Sequence, residues 1–145
     1  MTASSTEVRF QHFPASLPPL ITHILMRVGG NFRCLLTFPP TYPLMPPSLT
    51  FTTPIPFHPN IYPSGLLCIS ILHPPEDDQY GYESASERWS PVQTPETILL
   101  SVTSLLHSPN DESPANLEAA KLWREEPKEF RKRCRKGVRE SLGED

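Results

Sequence analysis

Phe32, Cys34, Leu36 and Phe38 alternate with Arg33, Leu35 and Thr37. That period of two predicts a β-strand with one face more deeply buried than the other. Leu49 and Phe51 continue the pattern in a second strand. Between the two stand Pro39, Pro40, Pro43, Pro46 and Pro47, each of which removes a backbone donor and fixes φ, so the link is a stiff turn and not a helix. The bond between Tyr42 and Pro43 is a candidate cis peptide, because aromatic-proline bonds lie at the favourable end of cis populations; an all-trans extended segment is the alternative.

The period changes further on. Ile98, Leu99, Val102, Leu105 and Leu106 form one apolar helical face, with Thr94 in position to cap it and Pro95 at the first helical position. Ser113 with Pro114 is expected to start a second helix carrying Leu117, Ala120 and Trp123, and Pro127 to open a third with Phe130, Cys134 and Val138 at four-residue spacing. Gly137 weakens that last helix by about 1 kcal/mol relative to alanine. The elements add up to an α+β domain, a short antiparallel meander followed by an irregular stretch and helices packed against the sheet.

Composition narrows the class. A chain of 145 residues suits one domain, long enough to bury roughly two-thirds of its unfolded surface. Cys34, Cys68 and Cys134 are odd in number and far apart, which argues against a disulfide framework and for a reducing compartment. The apolar run from Leu20 to Met26 is broken by Thr22 and His23, is too short to span a bilayer, and lacks the basic leader and small-residue cleavage site of a signal peptide. A soluble, cytosolic protein is therefore expected, reaching a membrane only through a partner and not by inserting. The net charge of -3 conceals an asymmetry, since nine of the thirteen Lys and Arg residues lie between Lys121 and Arg139. Glutamates are interspersed there and no aromatic platform accompanies them, so a solvated helix face is expected and not a nucleic-acid site.

Cys68 is the candidate nucleophile. It sits in Leu67-Cys68-Ile69-Ser70, eight residues after Asn60 of His58-Pro59-Asn60, and nine prolines crowd the 25 residues from Pro39 to Pro63. A thiol that holds an acyl group needs a donor for the oxyanion formed on attack, and the Asn60 amide on a rigid turn can supply one; bracing the loop is its alternative role. His58 is locked beside Pro59 and His73 follows the cysteine by five residues in an apolar stretch. Neither is expected to activate the thiol, which leaves a thiol hydrolase without a base. Cys134 falls on an apolar stripe and is expected in the core.

These motifs carry a likeness. Phe57-His58-Pro59-Asn60-Ile61, Gly65 and Leu67-Cys68-Ile69-Ser70-Ile71 resemble the active-site signature of ubiquitin-conjugating enzymes, Tyr42-Pro43-Leu44-Met45-Pro46-Pro47 that family's Pro-rich turn, and Trp89-Ser90-Pro91 its Trp-x-Pro. The stretch from Pro74 to Trp89 resembles the acidic insertion of the branch that serves endoplasmic-reticulum-associated degradation. The likeness covers residues 30–145 as a catalytic core, with 1–29 as a divergent amino-terminal segment. It implies the family's fold, here without the usual first helix and one or two first strands, Leu20 to Val28 standing in for one of them.

The resemblance implies roles for particular residues. Cys68 would carry ubiquitin as a thioester and Asn60 would assist its transfer. Tyr62 and Ser113 would orient the incoming lysine, Ser113 standing where many relatives carry an aspartate, with Asp111, Glu112 or the acidic loop of Glu76, Asp77, Asp78 and Glu83 compensating electrostatically. Phe57, Leu72 and Pro91 would form a ligase-facing patch. The implied partners are ubiquitin, the activating enzyme and a RING-type ligase, which can be membrane-anchored and would recruit the chain to the endoplasmic reticulum surface. No metal or bound cofactor is implied, ATP being consumed upstream. The rival reading is a truncated relative that charges poorly and acts as a binding module or regulator.

Overall fold

A computed structural model describes residues 7–11, 21–27, 29–52, 54–75 and 88–144. Four antiparallel strands run in the order β1-β2-β3-β4: β1 (Glu7–Gln11), β2 (Ile21–Arg27), β3 (Asn31–Thr37) and β4 (Ser48–Phe51). The register sets Ile24 opposite Cys34, and Cys34 opposite Phe51. Along β3 the alternation is as the sequence predicts: Phe32, Cys34 and Leu36 are buried and Arg33 is exposed. Leu49 and Phe51 are buried on β4.

The chain ahead of β3 differs from the expected shortfall of strands. The substitute strand expected at Leu20 to Val28 exists as β2, and β1 pairs with it from Glu7↔Arg27 to Gln11↔His23, so the sheet has both strands ahead of β3. The sequence holds a short period of two at this point, Val8 and Phe10 between Glu7, Arg9 and Gln11, and β2 pairs with one edge of it as an antiparallel neighbour.

The Pro-rich link folds as a turn, Tyr42 N–H donating to Pro39 O at 3.0 Å and Leu44 N–H to Thr41 O at 2.9 Å, and the Tyr42-Pro43 bond is cis. Trp89 closes over it: the indole N–H donates to Pro43 O at 2.9 Å, and the Tyr42 ring lies between those of Phe38 and Trp89. Two motifs 46 residues apart thus form one corner of the core.

Helix α1 (Pro95–His107) begins with the Thr94 cap and Pro95 at its first turn, and Ile98, Leu99 and Val102 enter the core beside Leu36, Leu49 and Phe51. Helix α2 (Leu117–Glu125) starts later than Ser113. The amides of Ala115 and Asn116 are both drawn to Pro59 O, at 2.8 and 3.0 Å, and the Asn116 side chain caps the helix by accepting from Ala119 N–H at 3.0 Å, so helical geometry begins only after Asn116. Helix α3 (Pro127–Ser141) follows at once, buries Phe130, and is tied to β3 where Asn31 N–H donates to Ser141 Oγ at 3.0 Å.

Candidate active site

Cys68 is held by a short antiparallel construction beyond β4. Ile61 bridges Leu67 and Thr50 bridges Leu66, while Leu67 N–H donates to Leu49 O at 2.9 Å and Phe51 N–H to Gly65 O at 2.8 Å. The stretch therefore rides on the sheet edge, with Cys68 N–H donating to Asn60 O at 2.8 Å. Gly65 makes the reversal: its φ is +98° and a Cβ there would collide with the Phe51 carbonyl oxygen. Gly65→Ala is expected to lower stability by about 2–3 kcal/mol, read as a drop in denaturation midpoint; a midpoint within experimental error of the parent would mean the turn is not what seats Cys68.

The His58-Pro59-Asn60 turn is anchored from below. The His58 ring is buried, its Nε2 2.9 Å from Leu105 O, and its Nδ1 accepts from Asn60 N–H at 3.0 Å. The pair of contacts fits a neutral ring protonated on Nε2. Burial pushes His58 down to about 4, partly offset by the Leu105 hydrogen bond. Because the folded value lies below the ordinary one of about 6.5, the unfolded chain binds the extra proton. The stability this neutral ring contributes is whole above about pH 6.5 and is lost as pH falls toward 4, by about 3 kcal/mol in all. The melting temperature should fall over that window more steeply for the parent than for His58→Gln; superimposable slopes would remove His58 from the account.

Asn60 is 3% exposed and both ends of its side-chain amide are engaged: Nδ2 donates one N–H to Asn110 O and Oδ1 accepts from Asn110 N–H at 2.9 Å. In this state it braces the segment between α1 and α2 against the turn.

His73 departs from expectation. A one-turn 3-10 helix, Ser70–Leu72, follows the cysteine, and it swings His73 back so that Nε2 stands 3.7 Å from Cys68 Sγ. The imidazole dismissed on spacing is the thiol's neighbour. The same turn puts Leu72 in the core, 9% exposed, which removes it from the ligase-facing patch. Of the other two, Pro91 is exposed, while Phe57 is half-buried with its ring against Phe130 and the Arg133 guanidinium 4.4 Å above it.

Tyr62 and Ser113 are both exposed, Tyr62 in the Gly65 turn and Ser113 in the segment that Asn60 and Pro59 hold. Asp111 is occupied by Arg124 at 3.3 Å. The acidic loop of Glu76, Asp77, Asp78 and Glu83 lies outside the described residues. Cys68 is half-buried. At the other thiols, burial raises Cys34 to about 12 and also raises Cys134, against the opposing pull of Arg135. Cys134 lines a separate apolar cavity of about 160 Å³ with Phe32, Phe57, Trp123 and Phe130, and its thiol donates to Phe57 O at 3.5 Å.

Fold and site together define an α+β domain with a half-buried thiol, Cys68, beside an imidazole at the rim of a sheet. The model of the ubiquitin-conjugating enzyme family matches residues 27–138. Ubiquitin-conjugating enzyme E2 15 of Schizosaccharomyces pombe is 64% identical over 114 residues, 79% of this chain and 68% of that protein. Ubiquitin-conjugating enzyme E2 14 of Arabidopsis thaliana is 58% identical over 113 residues, 78% of this chain and 67% of that one, and ubiquitin-conjugating enzyme E2 G2 of Homo sapiens 57% over 114, 79% and 68%. The chain belongs to the ubiquitin-conjugating enzyme family, and is a transferase whose partners by membership are ubiquitin, an activating enzyme and a ligase.

Proposed function

We propose that Cys68 accepts ubiquitin as a thioester and surrenders it to a lysine amine, in protein degradation of the endoplasmic-reticulum-associated kind. The observation that carries this reading is that Cys68, backed by the His58-Pro59-Asn60 turn, is half-buried with the His73 imidazole 3.7 Å from its sulfur.

The sulfur, as thiolate, attacks the thioester carbonyl of ubiquitin on the activating enzyme and expels that enzyme's thiolate. An amine then attacks the new thioester, an oxyanion forms, Cys68 leaves as thiolate, and the amine's proton passes to solvent or a nearby base. No metal or cofactor on this chain takes part, since ATP drives the upstream step. The His73 ring offers a hydrogen bond to the sulfur in its anionic state. One N–H of the Asn60 amide is committed to Asn110 O, and the other is free to serve the oxyanion, so bracing and catalysis can coexist in one side chain. Tyr62 and Ser113 would line the approach of the lysine.

The ligase in this reading is of the RING type, which can be membrane-anchored, and the chain works in the cytoplasm at the endoplasmic reticulum surface; the acidic stretch from Glu76 to Glu87 supports that branch of the family. Incubation with activating enzyme, ubiquitin and ATP should give an adduct that disappears on adding reductant. Absence of any adduct, with a folded chain and an active control, would sink the proposal.

A further inference from the structure

Helix α3 carries seven Lys and Arg residues and two glutamates. Six of the cations, Lys128, Arg131, Lys132, Arg135, Lys136 and Arg139, are exposed and recur at intervals of three and four. At 100° per residue they fall within an arc of about 140° and extend about 16 Å along the axis. Glu129 and Glu140 lie together on the flank of that arc. Arg133, the seventh cation, is off the stripe and engaged with the protein, 3.0 Å from Glu118 and stacked on Phe57. Among the described residues the six have one ion pair between them, Lys132 with Glu129 at a loose 3.9 Å.

A merely solvated helix face interleaves its charges, because like charges four residues apart oppose the helix. Here 128/132, 131/135, 132/136 and 135/139 are all like pairs. The arrangement costs the helix and gains only when an external anion covers it. The inner face of α3 is already used: Phe130 is buried and Val138 packs against the core. A partner is therefore met chiefly by charge.

We propose that the outer face of α3 is an electrostatic docking surface for a bilayer bearing anionic lipid headgroups. Clusters of four to eight Lys and Arg on one helix face fit such a surface, each contributing independently near the headgroups. Adsorption without insertion suits a chain in which no helix among the described residues is long and apolar enough to cross a membrane. Leu142, 44% exposed at the end of the same arc, is the one apolar residue there that can dip into the interface. Nucleic acid fits less well: no aromatic side chain stands on the stripe to stack a base, and no Asn or Gln stands there to pair with a base edge. The proposal does not depend on the chemistry of Cys68.

The test is flotation of the full chain with vesicles of phosphatidylcholine, alone or containing one third phosphatidylserine. Binding is expected only to the anionic vesicles and should be lost at high salt. Arg131→Gln/Arg135→Gln/Arg139→Gln should weaken it on the order of a hundredfold, with an unchanged or higher melting temperature because repulsion along the helix is relieved. A charge-matched control, Arg33→Gln/Lys121→Gln/Arg124→Gln, should keep most of the binding. Three results would overturn the proposal: no preference for anionic vesicles, equal losses in the two triple variants, or stronger binding to a mixed-sequence DNA duplex than to vesicles of matched anionic charge.

Discussion

Cys68→Ser is expected to trap ubiquitin as an oxyester that withstands reductant, and Cys68→Ala to abolish the adduct, whereas Cys34→Ala should leave loading unchanged. The contrast follows from thiol environment. Transthiolation needs a thiolate, and burial holds Cys34 at about 12, beyond the reach of any ordinary assay pH. Cys134 is raised in the same direction and its S–H is given to Phe57 O. Cys68 alone combines partial exposure with an imidazole at 3.7 Å. Non-reducing electrophoresis after a short incubation reads all three variants. An adduct that persists in Cys68→Ala would move the chemistry to another residue and undo the reading.

Asn60→Ala should slow discharge of a preformed thioester to free lysine by about 10²–10³, and the same substitution should also cost stability. The side chain satisfies both the N–H and the C=O of Asn110, and leaving two partly buried backbone groups without partners costs about 1–3 kcal/mol each. Two measurements separate the roles. Single-turnover discharge reports the oxyanion donor, and a melting curve reports the brace. A stability loss with an unaltered discharge rate would reduce Asn60 to structure, and an unaltered stability would mean the Asn110 contacts are replaced by water. Asn60→Asp keeps the acceptor for Asn110 N–H but sets a carboxylate against Asn110 O, so it is expected to be no milder.

What the sequence revealed was whatever had a short period or a single strong residue. The alternation of Phe32, Cys34 and Leu36, the Thr94-Pro95 start of α1, and the cis Tyr42-Pro43 turn all depend on neighbours within a few positions. What stayed hidden depends on folding back. Five residues of extended chain would separate His73 from Cys68 by about 16 Å, and only the intervening 3-10 turn brings their side chains together. That turn has no periodic signature in three residues. Likewise the partner of Asn60 is a backbone 50 positions away, and the late start of α2 is dictated by Pro59 O and not by Ser113-Pro114. Strand β1 is five residues long, and so short an alternation does not distinguish a strand from irregular chain until its partner β2 is in place.

The fastening of residues 110 to 116 onto the Pro59-Asn60 turn reaches beyond stability. Four hydrogen bonds, from Asn110, Ala115, Asn116 and the Asn60 amide, hold a stretch that has neither helix nor strand. Left loose, that stretch would have to be ordered afresh whenever an acceptor arrived, at about 1–2 kcal/mol for each residue fixed. With its conformation already set, the entropy of ordering this segment is spent once, during folding, and any amine approaching beside the Asn60 turn meets a surface that is already in place.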